Sequence, residues 1–588
     1  MAFDEFKGAM FSPKWKASER KYDVIVERAV KVPMGDGIKL SCDIFRPDSK
    51  AKFPAILGFH PYHQAAQTGP IKPNAMSGAQ WMHPGQENTN APVESGDPNF
   101  FVRRGYVHVV CNARGCGKSE GKWQFAGKRE VQDVYETIEW MAAQPWCDGN
   151  VAMFGVSYFA WIQLFAATTQ PPHLRCIFCP WGSTDFYRDF VYRGGFLSWR
   201  FPVAWRLTSL ANGNVRPENH TKKELGEKGY QAAIAKMLED EDIKARPELV
   251  EILRNPEFSR NPFAVDLILH PLYDKFWKER TVDYSKIKVP AYIGSDWECF
   301  GLHLPAAFRS WEKLKVPKKM IIGPPLYLDR PLYQLQHEAV RWFDHWMKKM
   351  ETGIMDEPPV RLFIMGTNDW KESNEWPLPE TKWTPFYLHE NGLLFEHEHW
   401  PNEGSDSFED SPWFRGSLKY VSPPMVENTE VVGPIVLKLF TSTTDTDIFW
   451  IVSLLEIDPQ GKERILTKGW MRGSHRELDL KNSKPWLPVY THTKPEPMVP
   501  DKIYEMDIPI VATGNMFKAG SRIGLKLSCV DDKPANPLEQ LGCGSLARNA
   551  VSRITVYHNE DNPSYLLLPI TIGNILSTFI SGGKFPGI

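Results

Sequence analysis

The sequence predicts an α/β core with a helical cap insertion and a β-rich C-terminal domain. Three features lead there. Short apolar runs alternate with helical spacing in the first half, as in parallel α/β proteins. Charged, helix-prone sequence fills the stretch from about Asp185 to Ser285. After Val360, short strand-like runs are separated by Gly, Pro and Asn turns. In chain order, Ala55–Phe59 and Tyr106–Val110 read as buried strands. Glu130–Ala143 has Val131, Val134, Ile138 and Met141 on one side, the spacing of a helix. Asn150–Gly155 reads as a strand that ends abruptly, and Ala291–Ile293 and Met320–Ile322 as two more. Lys222–Asp242 is the clearest helical part of the insertion, and an insertion of that size between core strands is most simply a cap over a pocket. Glu338–Met350 is a further amphipathic helix, and Asp356-Glu357-Pro358-Pro359 marks a boundary. Ile435–Phe440 and Ile523–Leu527 are the plainest strands of a β-sandwich or jelly roll. The expected division is therefore a core from 1–184 and 286–357, a cap from 185–285, and a β domain from 358–588.

The 588 residues are 42% hydrophobic and 24% charged, the balance of an ordinary globular protein rather than a disordered or fibrous one. A formal charge of -2 without a long run of one sign gives no basic face for nucleic acid. The start, Met1 to Lys16, lacks a charged segment followed by an apolar run, and no stretch approaches the ~18 apolar residues of a membrane span. Nine Cys without paired CxxC spacing indicate reduced thiols and a cytoplasmic protein with neither zinc site nor disulfide framework. Gly115-Cys116-Gly117-Lys118 lacks the upstream glycine of a phosphate-binding loop, so no cofactor or metal is expected. The expected partner is a small-molecule substrate, with homo-oligomer formation left open. Aromatic residues make up 13%, which fits well-filled cores and an apolar substrate pocket equally.

The most informative segment is Val151–Ala160. It reads strand, Gly155-Val156-Ser157, then an apolar helix containing Leu164, Phe165 and Ala167. A nucleophile elbow needs this layout, because a tight strand-to-helix turn exposes the serine oxygen beside free helix amides. The second glycine of Gly-x-Ser-x-Gly is replaced by Phe159. Taken alone, the segment fits a helix-capping serine as well as a nucleophile.

An ordered series of further motifs runs nearly the whole length. Val32–Leu40 and Asp43–Pro47 begin it, followed by Pro61-Tyr62, Asn112–Gly115, Ser119–Gly121 and Trp146–Gly149. Gly155–Tyr158, His270-Pro271, Trp342–Trp346, Arg361–Gly366 and Trp376–Pro379 complete it. The sequence resembles the cocaine esterase / X-Pro dipeptidyl-peptidase-like family of serine hydrolases. The resemblance implies an α/β-hydrolase core, a helical cap and a C-terminal jelly roll. It implies Ser157 as nucleophile, with the Tyr62 phenol and the Tyr158 amide as oxyanion donors.

The rest of the triad departs from the family pattern. Anchored on Trp297, the acid position falls at Cys299, and the family's Gly-Pro-Trp-x-His becomes Gly323-Pro324-Pro325-Leu326-Tyr327, with Tyr327 where the histidine belongs. Without a positioned imidazole the serine hydroxyl is a weak nucleophile. Substitute bases are His303, His63 and Glu298, the last given a carboxyl pKa raised by burial. Phe159, Tyr192, Trp199 and Phe300 are candidates to line an apolar pocket. The leading reading is a carbonyl hydrolase acting on an ester, lactone or amide. A non-hydrolytic cyclase, isomerase or lyase, with Tyr327 or Glu298 moving protons, is the second. A pseudoenzyme that only binds is the third.

Overall fold

The structure is a computed structural model that describes residues 16–68, 94–325, 331–398, 402–532 and 544–573, with side chains of the Pro331–Lys348 helix from Leu335 onward. Ten strands among these form the core sheet: β1 Val24–Pro33, β2 Lys39–Pro47, β3 Phe53–His60, β4 Val107–Asn112, β5 Cys147–Phe154, β6 Leu174–Pro180, β7 Ala291–Asp296, β8 Lys318–Gly323, β9 Val360–Ile364 and β10 Asp369–Ser373. Their order is β1-β2-β4-β3-β5-β6-β7-β8-β9-β10, with parallel pairing from β4 through β9. Helices cover both faces of a parallel sheet, so its strands are apolar throughout rather than alternating. Every residue of β3 is accordingly buried.

The helix Lys128–Ala142 buries Val131, Val134, Ile138 and Met141, the side anticipated from spacing. The Pro358-Pro359 pair stands at the entry to β9, and β9 and β10 carry the core sheet past Glu357. The insertion is a set of short helices. Arg200–Leu207, Ser209–Asn212, His220–Leu238, Pro247–Arg254 and Asn261–Ile268 are the main ones, and His220–Leu238 is broken at Gly226, whose φ is 69°.

The C-terminal half is all β. Its strands are β11 Lys382–His389, β12 Leu393–Phe395, β13 Ser405–Asp410, β14 Ser417–Val421, β15 Thr429–Thr443, β16 Phe449–Ile457, β17 Glu463–Arg472, β18 Tyr504–Phe517, β19 Arg522–Ser528, β20 Ser552–Tyr557 and β21 Tyr565–Ile572. Pairing runs β15-β18-β17-β16-β19-β14-β12-β11-β21, and β21 pairs back to β15, so hydrogen bonds close a barrel instead of leaving two separate sheets. Closure removes the edges of the strands in the ring, while β20 pairs with β15 outside it and carries β13 as an edge strand.

Two seams join barrel, core and cap. The Trp297 indole donates to the Phe363 carbonyl and packs where a Gly514 Cβ would lie 2.5 Å from its ring. In the cap, a Cβ on Gly194 would lie 2.4 Å from the Trp470 carbonyl, while Arg193 donates to the Gly301 carbonyl at 2.6 Å.

Behind the sheet, Arg341 is 1% exposed and bridges Glu338 at 3.2 Å and Glu357 at 2.6 Å. Removing one member of a buried ion network strands the others without compensation. Arg341→Ala is expected to cost about 3–5 kcal/mol of stability, read from urea or guanidinium denaturation.

Candidate active site

Ser157 sits between β5 and the helix Tyr158–Ala167, all ten residues of which are buried. Its backbone is at φ 57°, ψ -120°, a region non-glycine residues rarely occupy and hold only when their surroundings force it. The forcing contacts are visible. A Cβ on Gly155, at φ 135°, would lie 2.4 Å from the Phe159 Cβ, so only glycine fits there. The buried Gln163 amide donates to the Phe159 carbonyl at 2.9 Å and its carbonyl accepts from the Phe178 amide at 3.1 Å. The Val156 amide donates to the Glu94 carbonyl at 3.2 Å. Ser157 itself is 8% exposed. The first amides of the helix behind it, Tyr158 among them, have no intrahelical acceptor and point toward its N-terminal end.

Tyr62 follows β3 and is half-buried. Its amide donates to the His60 ring at 3.1 Å and its carbonyl accepts from the Asn112 amide at 3.0 Å. Its ring lies 6.0 Å from that of Tyr158 and 6.3 Å from that of Trp205. Burial, followed by the nearby Glu94 carboxyl, pushes the Tyr62 pKa well above its ordinary value, so the phenol keeps its proton.

Trp205, on the cap helix Arg200–Leu207, roofs the site. Its ring lies 6.3 Å from Tyr62, 6.3 Å from Tyr158, 6.1 Å from Trp123 and 5.5 Å from Phe263. Beneath, the Tyr158 phenol donates to Glu130, and the Trp123 indole donates to Glu130 and to the Tyr158 oxygen, each at 3.0 Å. The Ala126 amide also donates to Glu130 at 2.8 Å. Burial raises the Glu130 pKa to about 8 against these opposing hydrogen bonds. A cavity opens beyond Trp123, walled by Phe125, Phe263 and Phe276 with Asp266 and Arg280.

Comparison with known proteins places this arrangement. Residues 36–325 match the model of the X-Pro dipeptidyl-peptidase (S15 family), and residues 352–567 match that of the X-Pro dipeptidyl-peptidase C-terminal non-catalytic domain. The chain belongs to this family of serine-type esterases and peptidases. It is 26% identical to the cocaine esterase of Rhodococcus sp. (strain MB1 Bresler), over 92% of this chain and 98% of that one. It is 23% identical to a putative Xaa-Pro dipeptidyl-peptidase of Bacillus anthracis, over 84% and 80%. A crystal structure of a CocE/NonD family hydrolase from Staphylococcus aureus superposes with a TM-score of 0.74 at 26% identity, covering 93% and 94% of the two chains. Among the described residues no helix is long and apolar enough to cross a membrane.

The remaining candidates from the sequence can now be located. Cys299 lies in the turn Trp297–Gly301 after β7, buried, its thiol pushed up by burial and by Asp296 and therefore protonated. Asp296, the last residue of β7, is fully buried and accepts from the Trp181 indole and the amides of Glu298 and Cys299. Burial raises its pKa to about 6. Oδ1 caps that turn and Oδ2 takes the Trp181 indole. Glu298 is half-buried in the same turn. His303 is fully buried, with Nδ1 3.3 Å from both the Gly182 carbonyl and the Ser183 hydroxyl, and burial lowers its pKa to about 3. Those partners belong to the loop after β6, which rests on Ala160 and Leu164 rather than on Ser157. His63 is exposed. Tyr327 lies outside the described residues.

Of the four pocket candidates, Phe159 has its ring 6.4 Å from that of Tyr62, and the other three have other surroundings. Phe159 turns away beneath the elbow, stacked on His60 at 4.8 Å, with its ring where a Gly58 Cβ would lie 3.0 Å from it. A tight turn leaves no room above for that ring, so it fills the gap glycine leaves in β3. The Tyr192 phenol donates to the Leu267 carbonyl at 3.1 Å inside the cap. The Trp199 amide donates to the Gly544 carbonyl, and Phe300 packs near Trp470, both along the barrel seam. The structure thus joins Ser157, Tyr62 and Tyr158 and adds Trp205, Glu130 and Glu94, which no spacing or motif marked.

Glu130 carries a pH signature. A carboxyl with a folded pKa near 8 binds a proton that the unfolded chain, near 4.5, has released, so its contribution falls as pH rises between those values. Glu130→Gln removes that term. Its melting temperature relative to the parent is expected to climb steadily from about pH 5 to about pH 8, checked by calorimetry across that range.

Proposed function

We propose that the protein cleaves an ester, lactone or amide carbonyl of a small apolar substrate, with Ser157 as nucleophile and the Tyr62 phenol and Tyr158 amide as oxyanion donors. The carrying observation is the Ser157 backbone, held at φ 57° against a buried helix start, with the Tyr62 ring 6.0 Å from that of Tyr158, the first residue of that helix. Ser157 Oγ attacks the carbonyl carbon and gives up its proton, which ends on the departing oxygen or nitrogen, while the negative charge that develops on the carbonyl oxygen meets the two donors. Donors fixed in advance, in surroundings with little water, stabilise that charge more than water does. Tyr62 suits this role because its phenol stays protonated through the neutral range. Collapse of the tetrahedral adduct expels the leaving group and leaves an acyl-Ser157, which water hydrolyses. The aromatic roof of Trp205 and Phe263 favours an apolar acyl or alcohol portion.

A second reading keeps the pocket and oxyanion donors for a cyclisation, isomerisation or lyase step on a carbonyl compound. It is favoured by the placement of His303, which contacts the loop after β6 and leaves Ser157 without a described imidazole partner.

Ser157→Ala separates the two. It is expected to abolish the mass adduct formed with a fluorophosphonate and to lower p-nitrophenyl ester turnover by about 10³-fold or more. Tyr62→Phe is expected to lower kcat by about 10²–10³-fold with KM little changed. Full ester turnover by a folded Ser157→Ala protein would sink the hydrolytic reading and leave the second.

A further inference from the structure

We propose that His475 and His492 form a proton-operated latch that holds the cap on the barrel and lets it loosen as the medium turns acid. The proposal stands independently of the role given to Ser157. Three sets of observations carry it.

The first is the pair itself. His475 follows β17, and His492 lies in the connection from β17 to β18. The two rings meet Nδ1 to Nδ1 at 3.2 Å. A neutral imidazole carries one ring proton, so one Nδ1 donates and the other accepts. Two charged rings would set two N–H groups, and two like charges, face to face. His475 is 2% exposed and His492 5%, so water is poorly placed to relieve them.

The second is place. Both rings abut Gly195 of the cap, where a Cβ would lie 2.5 Å from Nδ1 of His475 and 3.0 Å from Nδ1 of His492. The Tyr273 amide, also of the cap, donates to the His492 carbonyl at 2.9 Å. Arg188 donates to the Tyr490 carbonyl at 2.9 Å, and the Tyr187 ring lies 5.3 Å from that of His492. Cap segments thus grip the barrel loop at Tyr490–His492, and they hold His492 at φ 54°, a backbone that needs such support. Gly195 leads through Ser198 and Trp199 into the helix Arg200–Leu207, which carries Trp205.

The third is the lack of a counter-charge. Neither imidazole has an ion-pair partner among the described residues. The nearby carboxylates are engaged elsewhere: Asp447 by Arg472 at 2.7 Å and by Ser474, Asp185 by Arg188 at 2.6 Å, and Asp274 by His270 at 2.6 Å. Arg476 pairs with Glu496 at 2.9 Å, and Glu477 takes the Thr491 hydroxyl at 2.7 Å. The phenols of Tyr187, Tyr192, Tyr273 and Tyr490 complete the surroundings.

The direction follows from burial. Burial first, and then the neighbouring guanidiniums, lower the pKa of His475 to about 3 and that of His492 well below its ordinary value. A histidine released to water titrates near 6.5, so below that value the open latch binds protons that the closed one cannot. Closure is complete above 6.5 and weakens as pH falls toward 3. Each histidine moves the balance toward opening by up to about tenfold per pH unit. Against burial, Arg188, Arg472 and His270 hold Asp185, Asp447 and Asp274 below the usual carboxylate range, so these groups stay ionised meanwhile.

The test is amide hydrogen exchange read by mass spectrometry at about pH 7.5 and about pH 5, corrected for the intrinsic effect of pH on exchange. Residues 187–199, 270–276 and 488–494 are expected to lose about 10-fold or more of their protection at the lower pH, while β5 and β18 keep theirs. A double variant, His475→Asn with His492→Asn, keeps hydrogen-bonding groups without a titrating ring, and asparagine tolerates the φ of residue 492. It is expected to hold its seam protection at both pH values. Unchanged seam protection in the parent overturns the proposal without any variant. Loss of protection in β5 and β18 together with the seam overturns it too, because that marks unfolding of the whole chain. A folded double variant that loses seam protection as the parent does overturns it as well.

Discussion

The site depends on one unfavourable piece of backbone. Ser157 occupies a conformation that an L-residue avoids, and nothing local to a serine supports it. Its support is distributed. Gly155 allows Phe159 to approach, Gly58 makes room for the Phe159 ring, Gln163 ties the helix start to β6, and the Glu94 carbonyl holds Val156. Each contact comes from a different strand or loop, so the turn exists only in the finished sheet. The absence of the usual second glycine is answered in the same way, because the bulk at Phe159 is absorbed by the missing side chain of β3.

Enclosure is the second theme. The rings of Trp205, Trp123, Tyr158 and Tyr62 surround the serine, and the polar groups among them are few and directed. Such surroundings strengthen the hydrogen bonds that are made and penalise any that are not. That is why Tyr62 and Glu130 hold their protons at pH values where exposed groups of the same kinds behave differently for the carboxyl and identically for the phenol.

Much of the fold was legible in the sequence because it follows from short-range pattern. Unbroken apolar runs such as Ala55–Phe59 announce a two-sided parallel strand, and Val131, Val134, Ile138 and Met141 announce a helix face. The elbow was legible for the same reason, being contiguous from Val151 to Ala160. What could not be read is proximity between distant segments. Trp205 lies 48 residues beyond Ser157 in a stretch that reads as an ordinary cap helix, and Glu94 precedes it in a loop with no motif. Tyr192, Trp199 and Phe300 looked like pocket walls because they are large and lie in the right segments, yet their contacts run to the cap interior and the barrel. Barrel closure was equally hidden, since β15 and β21 are paired across more than a hundred residues. Nor could it be read that Asp296 would place Oδ1 on the following turn and Oδ2 on the Trp181 indole.

The seam at Gly194 bears on how such a protein can be rearranged. Cap backbone lies so close to the Trp470 carbonyl that no side chain fits between them, and Arg193 spans from there to the turn after β7. The roof over the serine is thereby riveted to a domain that contributes no reacting group. Barrel and core are separable as stretches of sequence but not as machinery. A graft that exchanged one barrel for a relative's would inherit a misfitting roof unless residues 193 to 199 travelled with it, and the C-terminal domain in this way helps to set the shape of the pocket under that roof.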